Sequence, residues 1–545
     1  MVGNDLVQKG IITQEQLNKA LEYKKDHPSK KLLDILYDMK FISKDVFLKE
    51  LSRELEIPYV ENLDNISLSE IDIPYTVLIQ TRSIPIEVKL KKVKIATEDP
   101  LNWNAQAYYK RLFPDRELEF VLAHKEDIEK ALKLVENKYK ISQLISDIRK
   151  ELQGEDVTAG THTAIMRLLM YIIQSAITRS ASDIHIEAEE NGAIVRFRVY
   201  GTLNQFLFFD NDIFNAIASR IKLEANMDVS EKRKPQDGAF SLEFDDNKFD
   251  FRVSTLPTVW GESIVIRILD KRQILKSLDE IGITEKNLQL LKKGLSNPNG
   301  IFLVTGPTGS GKSTTLYASI NELAGMDTKV ITVEDPVEYK LKGIQQVQVN
   351  PKAGFTFADA LRSILRQDPD KIMIGEIRDL ETLEIAIKAA LTGHLVLSTL
   401  HTNDSVSAIS RMIDMGAEPY MVAASLIGVE AQRLVKENCP YCKEEYRPSD
   451  AYLEPIKRIL PKDFKFYRGK GCEKCNMTGF KGRTLVSEIF LVDEKLESMI
   501  AKNKERTEIL EYIKSKGFKN MFYDGLVKAL NGIIPLEEVY KVAKL

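Results

Sequence analysis

The stretch Gly306-Pro307-Thr308-Gly309-Ser310-Gly311-Lys312-Ser313 carries the spacing G-x-x-x-x-G-K-S directly after the apolar run Gly300-Ile301-Phe302-Leu303-Val304-Thr305. Strand, glycine-rich turn and helix-compatible segment in that order make a phosphate-binding loop. The glycines let backbone N–H groups turn inward onto phosphate oxygens, and the following helix presents its positive end. Lys312 reaches the β- and γ-phosphates, and the Ser313 hydroxyl suits a Mg²⁺ ligand position, with Thr314 closing the segment. Two later apolar runs end in acids. Val330-Ile331-Thr332-Val333 leads into Glu334-Asp335-Pro336-Val337-Glu338, and Lys371-Ile372-Met373-Ile374 leads into Gly375-Glu376. Open α/β sheets gather ligands at the carboxyl ends of their strands, which is where these acids fall. Gly375 stands where such strands commonly carry a metal-binding aspartate, so Glu376 is left either to orient or deprotonate an attacking water or to cap the next helix. A third run, Leu395 to Leu400, is flanked by His394 and His401. Seven residues apart on a strand, the two rings lie on opposite faces, so at most one looks at a γ-phosphate.

All four cysteines of the chain, Cys439, Cys442, Cys472 and Cys475, form C-x-x-C, twenty-nine residues, then C-x-x-C. Two such knuckles suit a tetrahedral Zn²⁺, and four thiolates would close the coordination sphere, making the site structural. Disulfides are the competing reading, less suited to a reducing compartment. Upstream of the phosphate loop, arginines recur on runs that alternate at period two: Arg196 and Arg198, Arg252, and Arg267. Guanidinium groups there are either solvated strand-face residues or charge partners for a phosphoryl group in transfer. Glu231-Lys232-Arg233-Lys234-Pro235 reads as a basic loop.

These residues need several packed domains to position them, and 545 residues at 43% hydrophobic and 29% charged supply roughly three or four. A formal charge of −3 gives no bulk case for nucleic-acid binding. The most apolar window, Ala164 to Ile177, carries Arg167 and Gln174 and reads as a buried amphipathic helix, so we expect no membrane span. Met1 to Gly10 lacks the apolar core of a signal peptide, and a cytoplasmic protein is expected. At the start, Leu6-Val7-x-x-Gly10-Ile11-Ile12 with Leu17 and Leu21 recurs thirty residues later as Leu36-Tyr37-x-x-Lys40-Phe41-Ile42 with Phe47 and Leu51, which predicts two helical hairpins packed as one unit. Short apolar runs to about residue 135 predict a small α/β module, and the charged stretch Lys138 to Asp156 a linker.

The phosphate loop, the acidic box Glu334 to Glu338, Leu361 to Asp370, the acid at Gly375-Glu376, the histidine box from Thr392-Gly393-His394 to His401-Thr402, and the tetracysteine motif occur in that order. As an ordered set spanning roughly residues 160–545, they closely resemble the secretion ATPases of the branch that powers type II secretion and type IV pilus assembly. The resemblance implies a multi-domain α/β protein. Its expected parts are a helical-hairpin repeat (1–60), the small α/β part of an N-terminal docking module (61–137), a linker (138–160), a PAS-like α/β domain (161–274) and a RecA-like P-loop ATPase domain (275–545). The last would contain a zinc subdomain (436–480) and C-terminal helices (490–545). It implies a homo-hexamer peripheral to the inner membrane that binds ATP, Mg²⁺ and Zn²⁺. Acting with a platform protein and a cytoplasmic adaptor, it would extrude pilin or pseudopilin subunits, and it would not bind nucleic acid directly. By the same resemblance the loop from Gly306 to Thr314 binds nucleotide and Glu376 is the catalytic glutamate. Glu338 would organise metal and water, Arg252 and Arg267 would serve the γ-phosphate within or across subunits, and His394 and His401 complete the catalytic candidates. A retraction motor is a second reading, disfavoured because such motors typically lack the long N-terminal extension and the zinc motif. A DNA-translocating ATPase or a non-hydrolysing scaffold is a third.

The chain departs from the family pattern at Arg198-Val199-Tyr200-Gly201, where the turn usually holds Asp, and at Val259-Trp260-Gly261, where His is usual. The N-terminal repeat resembles a module that in some members binds cyclic di-GMP through two Arg-Leu-Gly-initiated hairpins. Here the triplets are Met1-Val2-Gly3 and Lys31-Leu32-Leu33, and Lys40 replaces a glycine. Both guanidinium groups that would stack on guanine are gone, as is one close backbone approach. A docking role without the dinucleotide is therefore expected. Titration of the full chain with cyclic di-GMP should give no saturation at low micromolar concentration, and a saturable isotherm there overturns this reading.

Overall fold

The N-terminal repeat folds as two helical hairpins, Val2–Gln8 with Gln14–Asp26 and Leu32–Asp38 with Lys44–Leu55. The computed structural model describes residues 2–28, 30–61, 63, 73–153, 163–270 and 276–544. Each hairpin turns on the same device. Gly10 takes φ 68° and Lys40 φ 59°, and Thr13 and Ser43 then cap the following helices through their hydroxyls. Leu6, Ile12, Leu17, Leu36, Ile42 and Phe47 meet in one core.

Beyond the hairpins, β1 (Ser83–Val88), β2 (Lys92–Thr97) and β3 (Glu117–Leu122) form a three-stranded sheet in the order β1-β2-β3. The helix Lys125–Leu152 follows and runs through most of the stretch expected as a linker. Ile141, Leu144, Ile145 and Ile148 recur at helical spacing among the charges, with Ile148 buried, and Glu136 pairs with Lys140 at 2.6 Å one turn on. Residues 154–160 of the expected linker lie outside the described residues, as do 271–274 at the end of the expected PAS-like domain. The chain divides into two compact units, Met1–Tyr171 and Ile172–Leu545.

The second unit opens with six antiparallel strands: β4 (Ala181–Glu189), β5 (Gly192–Val199), β6 (Thr202–Phe209), β7 (Gln236–Phe244), β8 (Asn247–Thr258) and β9 (Gly261–Asp270). Their order is β6-β5-β4-β9-β8-β7. The register sets Arg198 opposite Asp183, Asp183 opposite Arg267, and Arg267 opposite Arg252. Directly opposed residues share a face, so these four side chains form one row across the sheet.

The larger sheet contains β10 (Gly300–Thr305), β11 (Val330–Glu334), β12 (Gln345–Gln348), β13 (Lys371–Ile374), β14 (Leu395–Leu400) and β15 (Leu426–Asn438). After the small two-stranded antiparallel sheet of β16 (Lys443–Tyr446) and β17 (Phe466–Gly469), β18 (Phe480–Leu491) returns antiparallel to β15. The order is β12-β11-β13-β14-β10-β15-β18. Strands β10, β11 and β14 are buried along their whole length, as parallel strands covered on both faces must be.

The outer edge of β18 is closed by side chains. Ser487 N donates to Asp524 Oδ2 at 3.0 Å, Asn287 Nδ2 donates to Ser487 O at 3.0 Å, and Lys528 Nζ donates to Leu485 O. Lys528 and Asp524 pair at 2.9 Å, each side chain only 5% exposed. An edge strand satisfied in this way offers no template for a foreign strand. Removing the cation alone strands a buried carboxylate, so Lys528→Met should cost about 3–5 kcal/mol. Chemical denaturation followed by tryptophan-independent circular dichroism reads this, and a loss below about 1 kcal/mol would mean the pair is not a structural requirement.

Candidate active site

The phosphate loop leaves β10 between two parallel neighbours, β14 and β15. Gly306 is packed so closely that an added Cβ would lie 2.5 Å from Ser310 Oγ and 2.6 Å from Gln432 O. Gly311, at φ 90°, ends the loop, and the helix Lys312–Leu323 begins. Thr308, Gly309, Ser313 and Thr314 complete a cradle of backbone N–H groups at a helix N-terminus, which fits an anionic phosphate, while Pro307, which has no N–H, shapes the turn and offers only its carbonyl. Lys312 Nζ donates to Gly306 O at 2.9 Å and Pro307 O at 3.1 Å, across the mouth of that cradle. Burial holds its ammonium below the usual lysine range, the Glu376 carboxylate pulls it back up, and Arg433 pushes it further down.

Three acids of the sequence reading have separate surroundings. Glu334, 4% exposed, accepts from Thr332 Oγ1 at 2.6 Å, from Gln346 Nε2 at 3.1 Å and from Tyr317 O–H. Those bonds tie β11, β12 and the helix after the loop together and leave Glu334 no free oxygen. Burial and the Glu334 carboxylate push the Tyr317 phenol well above its usual range. Glu376 follows β13, where Gly375 N donates to Val333 O at 2.8 Å and Thr399 Oγ1 donates to Gly375 O at 2.8 Å. Its carboxylate is shared by Arg378, which donates to Oε1, and His401, whose Nε2 lies 3.4 Å from Oε2. Glu338 pairs with Arg252 Nη1 at 3.1 Å, and Arg252 Nη2 donates to Val337 O at 3.2 Å.

The geometry thus brings Lys312, Glu376 and His401 together at the carboxyl ends of the strands, with Glu338 and Arg252 paired at the acidic box. Arg267 is instead held by Asp183, Nε to Oδ1 at 3.0 Å. His394 must be set aside. Its Nδ1 contacts Ala389 O at 2.9 Å at the amino end of β14, a strand's length of about 20 Å from His401. The strand separates the two histidines end to end as well as face to face, and spacing alone did not reveal that.

Sequence reading also passed over Gln432 and Arg433. Gln432, 0% exposed on β15, donates from Nε2 to Ser310 O at 2.9 Å and accepts from Thr315 Oγ1 at 2.9 Å, bracing both ends of the loop. A glutamine and an arginine enclosed by apolar neighbours, at Ala431-Gln432-Arg433-Leu434-Val435, were the available signal. Glu430, two residues earlier and wholly buried, has its carboxyl pushed up to about 8 by burial.

The four cysteines converge. Their sulfurs all lie within 4.8 Å of one another, with Cys439–Cys472 at 3.8 Å, Cys442–Cys475 at 3.9 Å and Cys472–Cys475 at 3.7 Å. A tetrahedral ion with metal–sulfur bonds of about 2.3 Å sets its sulfurs about 3.8 Å apart, so the thiol set fits such an ion. Against burial, the N–H groups of Cys472 and Gly479 and the neighbouring thiols hold Cys475 at about 7. Burial pushes Cys442 up to about 12.

Residues 158–541 match the family described as Type II/IV secretion system protein, and residues 55–138 match the MshEN domain. Type II secretion system protein E of Dickeya dadantii is 43% identical over 434 residues, 78% of this chain and 86% of its own length. Type IV pilus assembly ATPase PilB of Thermus thermophilus is 37% identical over 579 residues, covering 99% of this chain and 65% of that longer protein. Type II secretion system ATPase E of Vibrio cholerae is 44% identical over 423 residues, 77% of this chain and 84% of its own. The ATPase DotB of Legionella pneumophila shares the fold at a TM-score of 0.52 and 21% identity, over 71% of this chain and 97% of that one. Among the described residues no helix is long and apolar enough to cross a membrane.

Stripping the thiolate centre with a chelator and a reductant is expected to raise amide exchange across residues 439–480 while β10 and β13 stay protected. Hydrogen-exchange mass spectrometry checks this, and identical exchange before and after would mean the knuckles fold without a metal.

Proposed function

The chain belongs to the Type II/IV secretion system family of ATPase motors, and from that premise we propose that it hydrolyses ATP to drive fibre assembly, extruding pilin or pseudopilin subunits for type II secretion or type IV pilus extension. One observation carries the chemistry. Lys312, at the end of the loop after β10, and Glu376, just past β13, stand at one rim of the sheet, close enough that the Glu376 carboxylate acts to raise the Lys312 ammonium. In this reading the loop from Gly306 to Thr314 cradles the phosphates, and Lys312 exchanges its loop carbonyls for phosphate oxygens. Glu376 takes a proton from the attacking water, or orients it, once Arg378 yields an oxygen, and His401 steadies the other oxygen. Mg²⁺, for which the Ser313 hydroxyl and the neighbouring carboxylates are suitable hard oxygen donors, supplies charge neutralisation at the phosphates when bound. Arg252 reaches the site through Glu338, and Arg267 stands one strand further along the same row. Their approach to a γ-phosphate would make turnover respond to domain closure, which is how hydrolysis becomes displacement.

We propose Zn²⁺ for the Cys439, Cys442, Cys472 and Cys475 centre, in a structural role, since four thiolates leave no position open for a substrate. The family reading further supports a homo-hexameric ring working in the cytoplasm against an inner-membrane platform protein and a cytoplasmic adaptor. The N-terminal module would dock to these partners without cyclic di-GMP or nucleic acid. The near-full-length similarity to a pilus assembly ATPase supports assembly over retraction.

The test is Mg²⁺-dependent ATP turnover of the purified chain, alone and with membranes bearing platform proteins. Glu376→Gln should lower turnover by roughly a hundredfold or more while ATP still binds. Full turnover in that variant removes the base assignment, and no turnover by the wild-type chain under either condition removes the motor reading.

A further inference from the structure

Arg433 is a partly buried guanidinium with no carboxylate of its own. Its Nη1 donates to Gln432 O at 2.9 Å, and its Nη2 donates to Asn403 O at 2.8 Å and lies 3.4 Å from Asn403 Oδ1. These contacts use at most three of its five N–H donors. Burial pulls it below the usual arginine range, offset by the fields of Glu488 and Asp404. Both acids are already engaged. Glu488 Oε1 accepts from Ser405 N and Ser405 Oγ at 2.8 Å each, and its Oε2 accepts from Met521 N at 2.9 Å. Asp404 accepts from Ser407 N at 2.9 Å and Ser407 Oγ at 2.8 Å, and pairs with Arg506 at 3.0 Å. Among the described residues, no ion pair of Arg433 falls within bonding distance.

Its position says what anion it would take. Thr305, the last residue of β10, is in register with Ala431, so Gln432 lies beside Gly306 and Arg433 beside the start of the phosphate loop. Lys312 Nζ is bonded to the carbonyls of Gly306 and Pro307, the two loop residues that lie beside Gln432 and Arg433, and the Arg433 charge adds to the burial that lowers the Lys312 ammonium. Two cations held together at a loop built to cradle phosphate repel each other until an anion lies between them.

We propose that Arg433 is a second phosphate ligand from the same subunit, taking an oxygen of the nucleoside triphosphate alongside Lys312. The assignment rests on the nucleotide reading above. It also makes β15 a nucleotide-contacting strand, with Gln432 bracing the loop and Arg433 meeting the ligand. Because Asn403 follows His401 and Thr402, the same guanidinium ties the phosphates to the loop that carries His401.

Binding of fluorescently labelled ATP to the full chain tests this, with the thermal midpoint measured without nucleotide as the control for folding. Arg433→Gln should weaken ATP binding by roughly tenfold or more, and shrink the ATP-induced rise in midpoint, while the nucleotide-free midpoint stays near that of the wild-type chain. Arg433→Lys, which keeps the charge and loses the fork, should recover part of the affinity. Unchanged affinity in Arg433→Gln overturns the assignment. So does a loss shared equally by Arg433→Lys with a lowered nucleotide-free midpoint, which would make the residue a tether for the Asn403 loop. Wild-type chain that fails to bind ATP, or Lys312→Ala that still binds it, overturns the nucleotide reading itself.

Discussion

A parallel sheet whose strands are apolar from end to end can carry charge only at its rim, and that constraint organises the second unit. β10, β11 and β14 admit no exposed position, and the groups able to do chemistry stand past the carboxyl ends of the sheet's strands: Lys312 beyond β10, Glu376 beyond β13 and His401 beyond β14. An ionised group that falls one residue inside the rim needs a full set of partners. Glu334 has them, from Thr332, Gln346 and Tyr317, and so is part of the framework. Glu430 lies deeper on β15, where burial pushes its carboxyl up to about 8 and so favours the neutral form.

The same rule accounts for what could be read from the chain alone. The phosphate loop, Glu376 and the cysteine pairs were legible because each is a local pattern whose spacing is its geometry. The hairpin repeat was legible because its apolar positions recur with the same turn in both copies, even though Lys40 occupies the backbone conformation that Gly10 takes without strain. Long-range register was not legible. Nothing local to Asp183 says that it will stand between Arg198 and Arg267, and nothing local to Gln432 says that it will face Ser310, more than a hundred residues earlier. Within the stretch expected as a linker, the helix over 138–152 was not legible for a different reason. Charge density was weighed above a sparse apolar stripe, and Ile148 with its neighbours was enough to carry the helix to Leu152.

Electrostatic pairing also sorts the arginines by the freedom they have. Arg267 and Arg198 share the one carboxylate of Asp183, and Arg252 has Glu338, so each already holds an anion that a phosphate would have to outcompete. Arg378 is in the same position on Glu376. Exchange of one anion for another costs little net Coulomb energy, which suits contacts that must be made and broken in every cycle.

Strand β15 runs from Leu426 to Asn438 and pairs in regular register from Gly428 to Lys436, with irregularities at Ile427 and Glu437; Gln432 braces the phosphate loop at its middle and Cys439 follows its end. An extended chain is close to its contour length and cannot lengthen under load. Asn438 is in turn anchored by Tyr467 O, Gly532 O and Ile533 O. Between Gly428 and Lys436 the strand therefore has the form of a tie: a pull arriving from the cysteine-bearing subdomain is carried along it with little stretching toward the backbone beside Gly306.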